Sequence, residues 1–228
     1  MKKILVSFCL LLSSQSFLQA QTTVAAASFQ QQLKTAGAQI LDVRTPGEYQ
    51  SGHIEKALLA NWNDKAEFER RIGFLDKEKP VYIYCLAGGR SHAAAARLNE
   101  LGFQKIVELQ GGVNAWKAAN LPLEGKSDKP KMSWQTFESS IAQGTVLVDV
   151  GAEWCPPCKV LEPVLAGVQK KAGDQFSFVK VDGGNDDEVL QHFNITQLPV
   201  LLVFKNGQLQ WRKDGIATEE EILAQVKP

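Results

Sequence analysis

The chain has 228 residues, of which 44% are hydrophobic and 22% are charged. Its 25 lysines and arginines balance its 25 acidic residues, so the composition gives no indication of nucleic-acid binding. A chain of this length can bury either one large core or two smaller ones.

The N-terminal segment, residues 1–20, has the pattern of a secretory signal peptide. Two lysines precede the apolar run Ile4–Leu12, and Ala20 supplies a small residue before the expected cleavage point. The run is too short to span a bilayer, which leaves a retained anchor as the alternative. Cleavage removes Cys9 and two lysines, so 23 basic residues remain against 25 acidic ones. We therefore expect a periplasmic or otherwise exported protein with no stable membrane span after processing.

Strand and helix patterns alternate through the first half of the chain. Helical spacing is expected at Val24–Lys34, Asn63–Leu75, Ser91–Leu101 and Val113–Ala119, and buried strands at Gln39–Val43, Pro80–Cys85 and Lys105–Leu109. This alternation predicts an α/β domain with a largely parallel sheet. Active groups on such a sheet lie just beyond the carboxyl ends of its strands.

A glycine-containing loop follows Cys85 at the end of one predicted strand. The backbone N–H groups around Gly88 and Gly89 can turn inward to form an anion-binding nest. Around a cysteine, that nest would hold a thiolate or a persulfide, and Arg90 and the helix beginning near Ser91 would add positive potential. The alternative is a buried structural cysteine followed by a flexible turn. An unpaired thiol in an exported chain favours a site, because structural cysteines there are normally bridged.

A polar stretch without periodicity, residues 126–131, predicts a linker between two domains. A second α/β set follows it, with helices expected at Trp134–Ala142, Cys155–Ala172, Asp187–Phe193 and Thr218–Val226, and strands at Thr145–Val150, Phe176–Asp182, Pro199–Phe204 and Leu209–Lys213. Asn206-Gly207 predicts a hairpin between the last two strands, and Thr218 is a suitable helix N-cap. The first domain would then span residues 21–125 and the second residues 132–228.

The second domain carries a Cys-x-x-Cys motif, Cys155-Pro156-Pro157-Cys158, after an apolar strand and at the start of a helix. Two cysteines at this spacing can close a small disulfide ring, and the positive end of the helix favours the thiolate of the first one. We therefore expect Cys155 to be an exposed nucleophile and Cys158 to be a buried resolving group. The alternative, half of a zinc site, needs two further ligands at matching spacing, which the sequence lacks. We expect neither a metal nor a cofactor.

Four motifs of the first half occur in a characteristic order: Leu41-Asp42-Val43-Arg44-Thr45-Pro46-Gly47-Glu48-Tyr49, Gly52-His53-Ile54, the Cys-x-x-Gly-x-Arg loop Cys85–Arg90, and Leu109-Gln110-Gly111-Gly112-Val113-Asn114-Ala115-Trp116. Together they resemble the rhodanese family over residues 25–125. The resemblance implies a sulfurtransferase domain in which Cys85 is the persulfide carrier. Its cradle would consist of Leu86, Ala87, Gly88, Gly89 and Arg90, with Asp42 and Arg44 as structural or pocket-lining residues and His53 in a structural role.

Two positions depart from the rhodanese pattern. Leu86 directly follows the cysteine, where family members that use thiosulfate often have a basic residue. Lys56 stands where a glycine is common after the His-Ile motif. These departures argue against thiosulfate as the natural donor, although the loop keeps one basic residue, Arg90.

The second half similarly resembles thioredoxin over residues 132–228, through Val148-Asp149-Val150, Trp154–Lys159, Lys180-Val181-Asp182 and Ile195–Pro199. The resemblance implies that Asp149 is a buried acid that helps to move the proton of Cys158, with Lys180 as its neighbour. It also implies a cis bond before Pro199 and a substrate-binding surface made of Trp154, Leu198 and Pro199, where a substrate strand pairs with the Leu198 backbone. Pro156-Pro157 replaces the usual Gly-Pro, so the direction of electron flow is not predicted.

Two nucleophilic sulfurs on one exported chain predict a thiol–disulfide oxidoreductase with a sulfurtransferase domain. Cys85 would take sulfur from a small sulfane-sulfur donor, and Cys155 would attack the persulfide, with sulfide leaving as the disulfide closes. Expected partners are a membrane dithiol electron carrier or protein disulfide substrates. Two alternatives stay open: a general disulfide reductase with an independent rhodanese-like domain, or one whose rhodanese-like domain is a substrate-binding or sensing module.

Overall fold

The computed structural model describes residues 21–125 and 130–227. The predicted signal peptide at residues 1–20 lies outside the described residues, as does most of the predicted linker at 126–131. The described part contains one five-stranded and one four-stranded sheet, each with helices, which confirms the predicted pair of α/β domains. Within it, no helix combines the length and the apolar character that a membrane crossing requires.

The first domain alternates strands and helices, in the order β1 (Gln21–Val24), α1 (Ala26–Gln32), β2 (Gln39–Asp42), α2 (Pro46–Gln50), β3 (Leu58–Leu59), α3 (Lys65–Ile72), β4 (Val81–Tyr84), α4 (Gly89–Glu100), β5 (Ile106–Leu109) and α5 (Gly112–Ala118). The strand order across the sheet is β1-β5-β4-β2-β3, and every pairing is parallel. The carboxyl ends of β2 and β4 therefore lie side by side, which places Arg44 and Cys85 at the same edge.

This sheet is covered on both faces. All four residues of β4 are buried, as the apolar run in the sequence predicts for a central parallel strand. Alternate residues enter two different cores: Ile83 packs with Leu41 on one face, and Tyr82 packs with Ile40 on the other. The two-residue period of a strand thus divides one apolar segment between two helix layers.

Three elements of the first domain were not predicted. The strand β1 has the sequence Gln-Thr-Thr-Val, with little apolar character, and it forms because it completes the edge beside β5. The helix expected from Val24 consequently begins at Ala26. The short elements α2 and β3 carry too few residues for a detectable period. Each of these is a product of tertiary pairing or capping.

The second domain consists of α6 (Trp134–Ile141), β6 (Thr145–Gly151), α7 (Pro156–Ala172), a 3-10 turn at Gly173–Gln175, β7 (Ser177–Asp182), α8 (Asp187–His192), β8 (Val200–Lys205), β9 (Gln208–Asp214) and α9 (Glu219–Val226). The strand order is β7-β6-β8-β9, with β6 parallel to β7 and the other pairings antiparallel. The central strand β6 leads directly toward the Cys-x-x-Cys motif.

Local sequence signals in this domain behave as predicted. Asn206 and Gly207 have φ values of 49° and 79°, the left-handed pair that a two-residue hairpin of type I′ requires. The Thr218 side chain accepts a hydrogen bond from the Glu221 backbone N–H and completes a capping box at the start of α9. Both the turn and the cap depend on residues that are close in the sequence, which explains why sequence alone identifies them.

Candidate active sites

The dithiol lies in the turn between β6 and α7. Cys155 is the N-cap of α7, and its Sγ accepts the Cys158 backbone N–H at 3.3 Å. Cys155 and Cys158 are joined in a disulfide, with their Cα atoms 5.2 Å apart. After reduction, the same N–H and the positive end of the helix would stabilise a thiolate on Cys155. Within residues 21–125 and 130–227, no three His, Cys, Asp or Glu side chains form a group able to hold a metal ion.

The expected exposure of Cys155 is wrong. Cys155 is 0% exposed, whereas Cys158 is 8% exposed. The cause lies in the first domain, which packs over the turn. The Leu59 backbone N–H donates to the Trp154 carbonyl oxygen at 2.8 Å, and the Arg71 guanidinium lies over the Trp154 indole at 4.9 Å. The sequence of the second domain alone carries no signal of this covering.

Asp149 lies beneath the dithiol on β6, directly across from Lys180 on β7. A methyl group added at Gly151 would lie 3.4 Å from Asp149 Oδ1 and 3.6 Å from Cys158 Sγ, so both atoms approach the same point. Burial raises the pKa of Asp149 to about 6, with the Lys180 charge opposing the shift and the Glu162 charge adding to it. A carboxyl group that titrates near neutral pH can exchange a proton with the resolving thiol.

A cavity of about 330 Å³ opens beside this acid, and Asp149, Cys158, Glu162 and Lys180 are among its lining residues. Glu162 lies one helical turn after Cys158 on α7 and bonds to Lys159 at 2.9 Å. Glu162 was not among the predicted site residues. Its position four residues after Cys158 on a predicted helix could have indicated that the two side chains lie on the same face. The cavity offers a route for solvent to reach Asp149.

The predicted substrate-binding backbone lies beside the dithiol turn. The Leu198–Pro199 peptide bond is cis, as the thioredoxin resemblance implies. Leu198 is buried, and its carbonyl oxygen accepts a hydrogen bond from Arg70 Nη2 of the first domain at 3.1 Å. The side chains of Trp154 and Leu198 both pack against the core that contains the two cysteines. The acceptor expected to receive substrate is thus already occupied.

Cys85 lies in a cradle of hydrogen-bond donors. Its Sγ accepts the Gly88 backbone N–H at 3.1 Å and faces Ser91 Oγ at 3.5 Å. Burial opposes ionisation of this thiol, but hydrogen bonds from Ser91 and from the Ala87 and Gly88 backbone outweigh burial and hold its pKa below the usual value. The cysteine is unpaired and 1% exposed. The geometry is therefore that of an anion nest, as the loop sequence indicated.

The cradle depends on Gly88 and on a second glycine. Gly88 has a φ of +108°, a conformation that L side chains rarely adopt. Gly112, at the start of α5, has a φ of +60°, and a methyl group there would collide with the Cys85 carbonyl oxygen. The adjacent Val113 N–H donates to that oxygen at 2.8 Å. The Gly-Gly pair in the sequence was the signal for this close approach, although only the structure shows its target.

Arg90 makes an ion pair that the sequence did not predict. Its guanidinium makes two hydrogen bonds to the Glu48 carboxylate, at 2.8 and 2.6 Å. The bond to Arg90 lowers the pKa of Glu48 to about 2 against a smaller effect of burial. The pKa of Arg90 is raised by its hydrogen bonds to Glu48 and also by the charge of Cys85, so Arg90 adds positive potential near the sulfur. The Ser91 hydroxyl and the backbone N–H groups of the loop supply the hydrogen bonds that lower the pKa of Cys85. Glu48 was not predicted as a site residue.

The residues of the first two rhodanese-like motifs have structural contacts. Asp42 and Arg44 form a buried ion pair at 2.6 Å, and Arg44 also donates to the Gly52 carbonyl. His53 stacks on Tyr49 with ring centroids 3.7 Å apart, a packing contact consistent with a structural role. Lys56 has a φ of +62°, which explains why a glycine suits this position.

The cradle residues Leu86, Ala87 and Gly89 are exposed, so the mouth of the nest opens to solvent. Ser91 was predicted only as a helix start, yet its hydroxyl lies within hydrogen-bonding distance of two acceptors, Cys85 Sγ at 3.5 Å and the buried Glu108 carboxylate at 2.8 Å. The signal for Ser91 was its position at the helix N-terminus beside the cysteine loop.

The structure does not bring the two reactive sulfurs together. Cys85 belongs to the core of the first domain, and Cys155 belongs to the core of the second. Tyr84, Asp42 and Leu59 lie in register on the adjacent strands β4, β2 and β3. Tyr84, the residue before Cys85, is therefore two strand spacings, roughly 10 Å, from Leu59, which contacts Trp154.

Comparison with known proteins agrees with both halves of this description. The rhodanese-like domain model matches residues 25–119, and the thioredoxin model matches residues 129–228. Over 92 residues the chain is 33% identical to thioredoxin of Bacillus subtilis, and the match covers 40% of this chain and 88% of that protein. The chain belongs to the thioredoxin family. Its first domain is rhodanese-like, so the predicted fusion of a rhodanese-like domain with a thioredoxin domain is confirmed.

Solved structures resemble each domain separately. The rhodanese-like domain of a protein from Anabaena sp. is 30% identical, covers 50% of this chain and 88% of that chain, and has a TM-score of 0.43. Thioredoxin of Plasmodium falciparum is 34% identical, covers 41% of this chain and 91% of that chain, and has a TM-score of 0.37. The thioredoxin relationship supports thiol–disulfide oxidoreductase activity for the dithiol of this fusion.

Proposed function

We propose that the protein is an exported thiol–disulfide oxidoreductase in which Cys85 carries sulfane sulfur and the Cys155/Cys158 dithiol discharges it as sulfide. The observation that carries the proposal is the cradle around Cys85, where hydrogen bonds lower the pKa of a thiol that burial alone would raise. A thiolate is the reactive form toward a sulfane-sulfur donor, and inward N–H groups also suit a persulfide anion. The signal-peptide pattern of residues 1–20 supports export.

The reaction balances in three steps. The Cys85 thiolate attacks the sulfane sulfur of a small donor, an S–S bond forms, and the donor leaves as its thiolate or sulfite. The Cys155 thiolate then attacks the outer sulfur of the persulfide, and Cys85 leaves as a thiolate within its cradle. Cys158 finally attacks the Cys155 sulfur, so that the disulfide closes and the outer sulfur leaves as hydrosulfide. Two electrons from the dithiol thus reduce one sulfane sulfur to sulfide.

Asp149 serves the last step, because its pKa of about 6 lets its carboxylate accept the Cys158 proton at neutral pH. A membrane dithiol electron carrier would then reduce the disulfide and restore the active form.

The test is single-turnover sulfide release. Incubation with a sulfane-sulfur donor should add the mass of one sulfur to Cys85, and the reduced chain should then release sulfide. Cys85→Ser should prevent loading, whereas Cys155→Ser should load normally and retain the sulfur. Loading of Cys85 with equal release from Cys155→Ser and from the unaltered chain would show that the dithiol does not discharge the persulfide.

A second candidate is a general reductase of exported disulfides whose rhodanese-like domain acts independently. The observation in its favour is the separation of Cys85 and Cys155 in two different cores. Two measurements together distinguish the candidates: insulin reduction by Cys85→Ser, and sulfide release from persulfide-loaded Cys155→Ser. Full insulin reduction by Cys85→Ser, together with equal sulfide release from Cys155→Ser and the unaltered chain, would favour this second candidate.

A further inference from the structure

The first domain presents to the dithiol a surface formed by β3 (Leu58–Leu59) and α3 (Lys65–Ile72), which we term the docking face. The strand β3 is an edge strand that pairs only with β2 inside its own sheet. Its outward Leu59 N–H donates to the Trp154 carbonyl at 2.8 Å. An edge strand of one domain thus makes a backbone bond to the residue directly before Cys155.

Two arginines of α3 complete the docking face. Arg70 Nη2 donates to the Leu198 carbonyl at 3.1 Å, and the Arg71 guanidinium lies over the Trp154 indole at 4.9 Å. Glu67 bonds to both arginines from the same helix, which holds the two guanidinium groups in position. Arg71 Nη1 also donates to the Leu59 carbonyl at 2.8 Å, so it links α3 to β3.

These contacts lie on both sides of Cys155. Trp154 precedes it, and Leu198 belongs to the surface expected to receive substrate. With both carbonyls bonded to the first domain, Cys155 is 0% exposed. Thiol–disulfide exchange requires the thiolate to reach a sulfur atom of the substrate, so access limits its rate. In the docked arrangement, a folded or extended protein segment has no path to Cys155.

The interface has the character of a reversible one. Apart from the Leu59 and Arg70 bonds, its polar contacts include Gln50 to the Gly184 carbonyl at 3.4 Å. Two cavities of about 360 and 410 Å³ remain between the domains, and Gln197 lines both. Trp154 also packs against the core of the first domain, edge-on to Tyr49. Incompletely packed interfaces between domains permit relative motion unless they are large and hydrophobic.

We propose that the docking face is a resident ligand of the dithiol surface, and that substrates of the thioredoxin domain react only in an undocked form of the chain. This inference concerns access to the site of the proposed function and rests on Cys155 being its nucleophile. A protein substrate must therefore compete with Leu59 and Arg70 for the Trp154 and Leu198 carbonyls. The docked and undocked forms are two states of one equilibrium, and weaker docking raises the reactive fraction.

The test is the alkylation rate of Cys155 by iodoacetamide in the reduced, full-length chain, measured by peptide mapping. Arg70→Ala removes the bond to Leu198, and Arg70→Ala with Arg71→Ala also removes the contact with the indole. We expect Cys155 to react about three- to tenfold faster in the double variant, with Arg70→Ala between it and the unaltered chain. The rate at Cys85, which lies in another core, should not change and serves as an internal standard.

Arg97→Ala is the matched control, because Arg97 pairs with Glu69 and Glu100 inside the first domain. Because Arg71 is buried, circular dichroism must show that the double variant is folded. If the double variant does not fold, Arg70→Ala alone provides the test, since Arg70 is partly exposed. Equal Cys155 rates in Arg70→Ala, Arg97→Ala and the unaltered chain would overturn the proposal. Faster alkylation of Cys155 in the arginine variants, without sulfur loading on Cys85 in the unaltered chain, would retain the docking inference and reject sulfur transfer from Cys85 to Cys155.

Discussion

The Cys85 and Cys155 sites show two ways of burying a reactive sulfur. Cys85 is 1% exposed because it packs in the core of its own domain, and its hydrogen bonds come from residues within six positions in the chain. Cys155 is 0% exposed because a different domain covers its turn. Similar exposures thus have different causes. The reactivity of Cys85 depends on local donors, whereas that of Cys155 depends on domain docking.

The largest expected effect is the loss of disulfide reduction when one cysteine of the dithiol is replaced. Cys155→Ser should abolish disulfide reduction, because a single remaining cysteine cannot close the Cys155–Cys158 disulfide that releases the reduced substrate. Cys158→Ser should instead accumulate mixed disulfides through Cys155, which non-reducing gels and mass spectrometry would detect. Preferential mixed-disulfide formation through Cys158 in the unaltered chain would contradict the assigned order of attack.

Gly112→Ala should disturb the Cys85 site alone. The residue has a φ of +60°, and the added methyl group would collide with the Cys85 carbonyl, so we expect a loss of about 3 kcal/mol or more in the free energy of unfolding. Gly89→Ala is the control, since nothing lies within 4 Å of its added methyl group and its φ is not positive. Urea unfolding measures both, and similar losses would refute the steric explanation.

Asp149→Asn should stabilise the second domain at neutral pH. The pKa of Asp149 is raised from 3.8 to about 6 in the folded state, so stability is lost as the pH rises from about 4 to about 6 and stays low above that range. Removing the charge should add up to about 3 kcal/mol above about pH 6 and almost nothing near pH 3, where the carboxyl group is largely protonated in both states. Urea midpoints of the oxidised protein at about pH 3 and about pH 7.5 test this. A gain of equal size at both values would exclude ionisation as the cause.

The smallest expected effect is a change in the ionisation of Cys85. Ser91→Ala removes one donor from the cradle and should raise the pKa of Cys85, so its alkylation at pH 7 should slow. Ser28→Ala, in α1 and bonded to Gln32, is the control. The pH profile of alkylation separates this effect from a loss of access, which would lower the rate at every pH.

Much of the fold could be predicted because its signals are local. The buried strand at β4 ends one residue before the predicted boundary, and the Asn206-Gly207 turn and the Thr218 cap occur as predicted. The strands β1 and β3 could not be predicted, since the first is largely polar and the second has two residues. Their formation depends on neighbouring strands that lie far away in the sequence.

The sequence by itself determined the local geometry around both sulfurs. A cysteine followed by a glycine loop at a strand end, and Cys-x-x-Cys at a helix start, each place a sulfur among nearby N–H groups through short-range geometry. Tertiary structure alone decided that Arg90 pairs with Glu48, 42 residues away, and that Arg70 bonds to Leu198, 128 residues away. Such contacts depend on how separate elements pack, and no local pattern encodes them. For this physical reason the exposure of Cys155 was predicted wrongly, whereas the burial of Cys158 was predicted correctly.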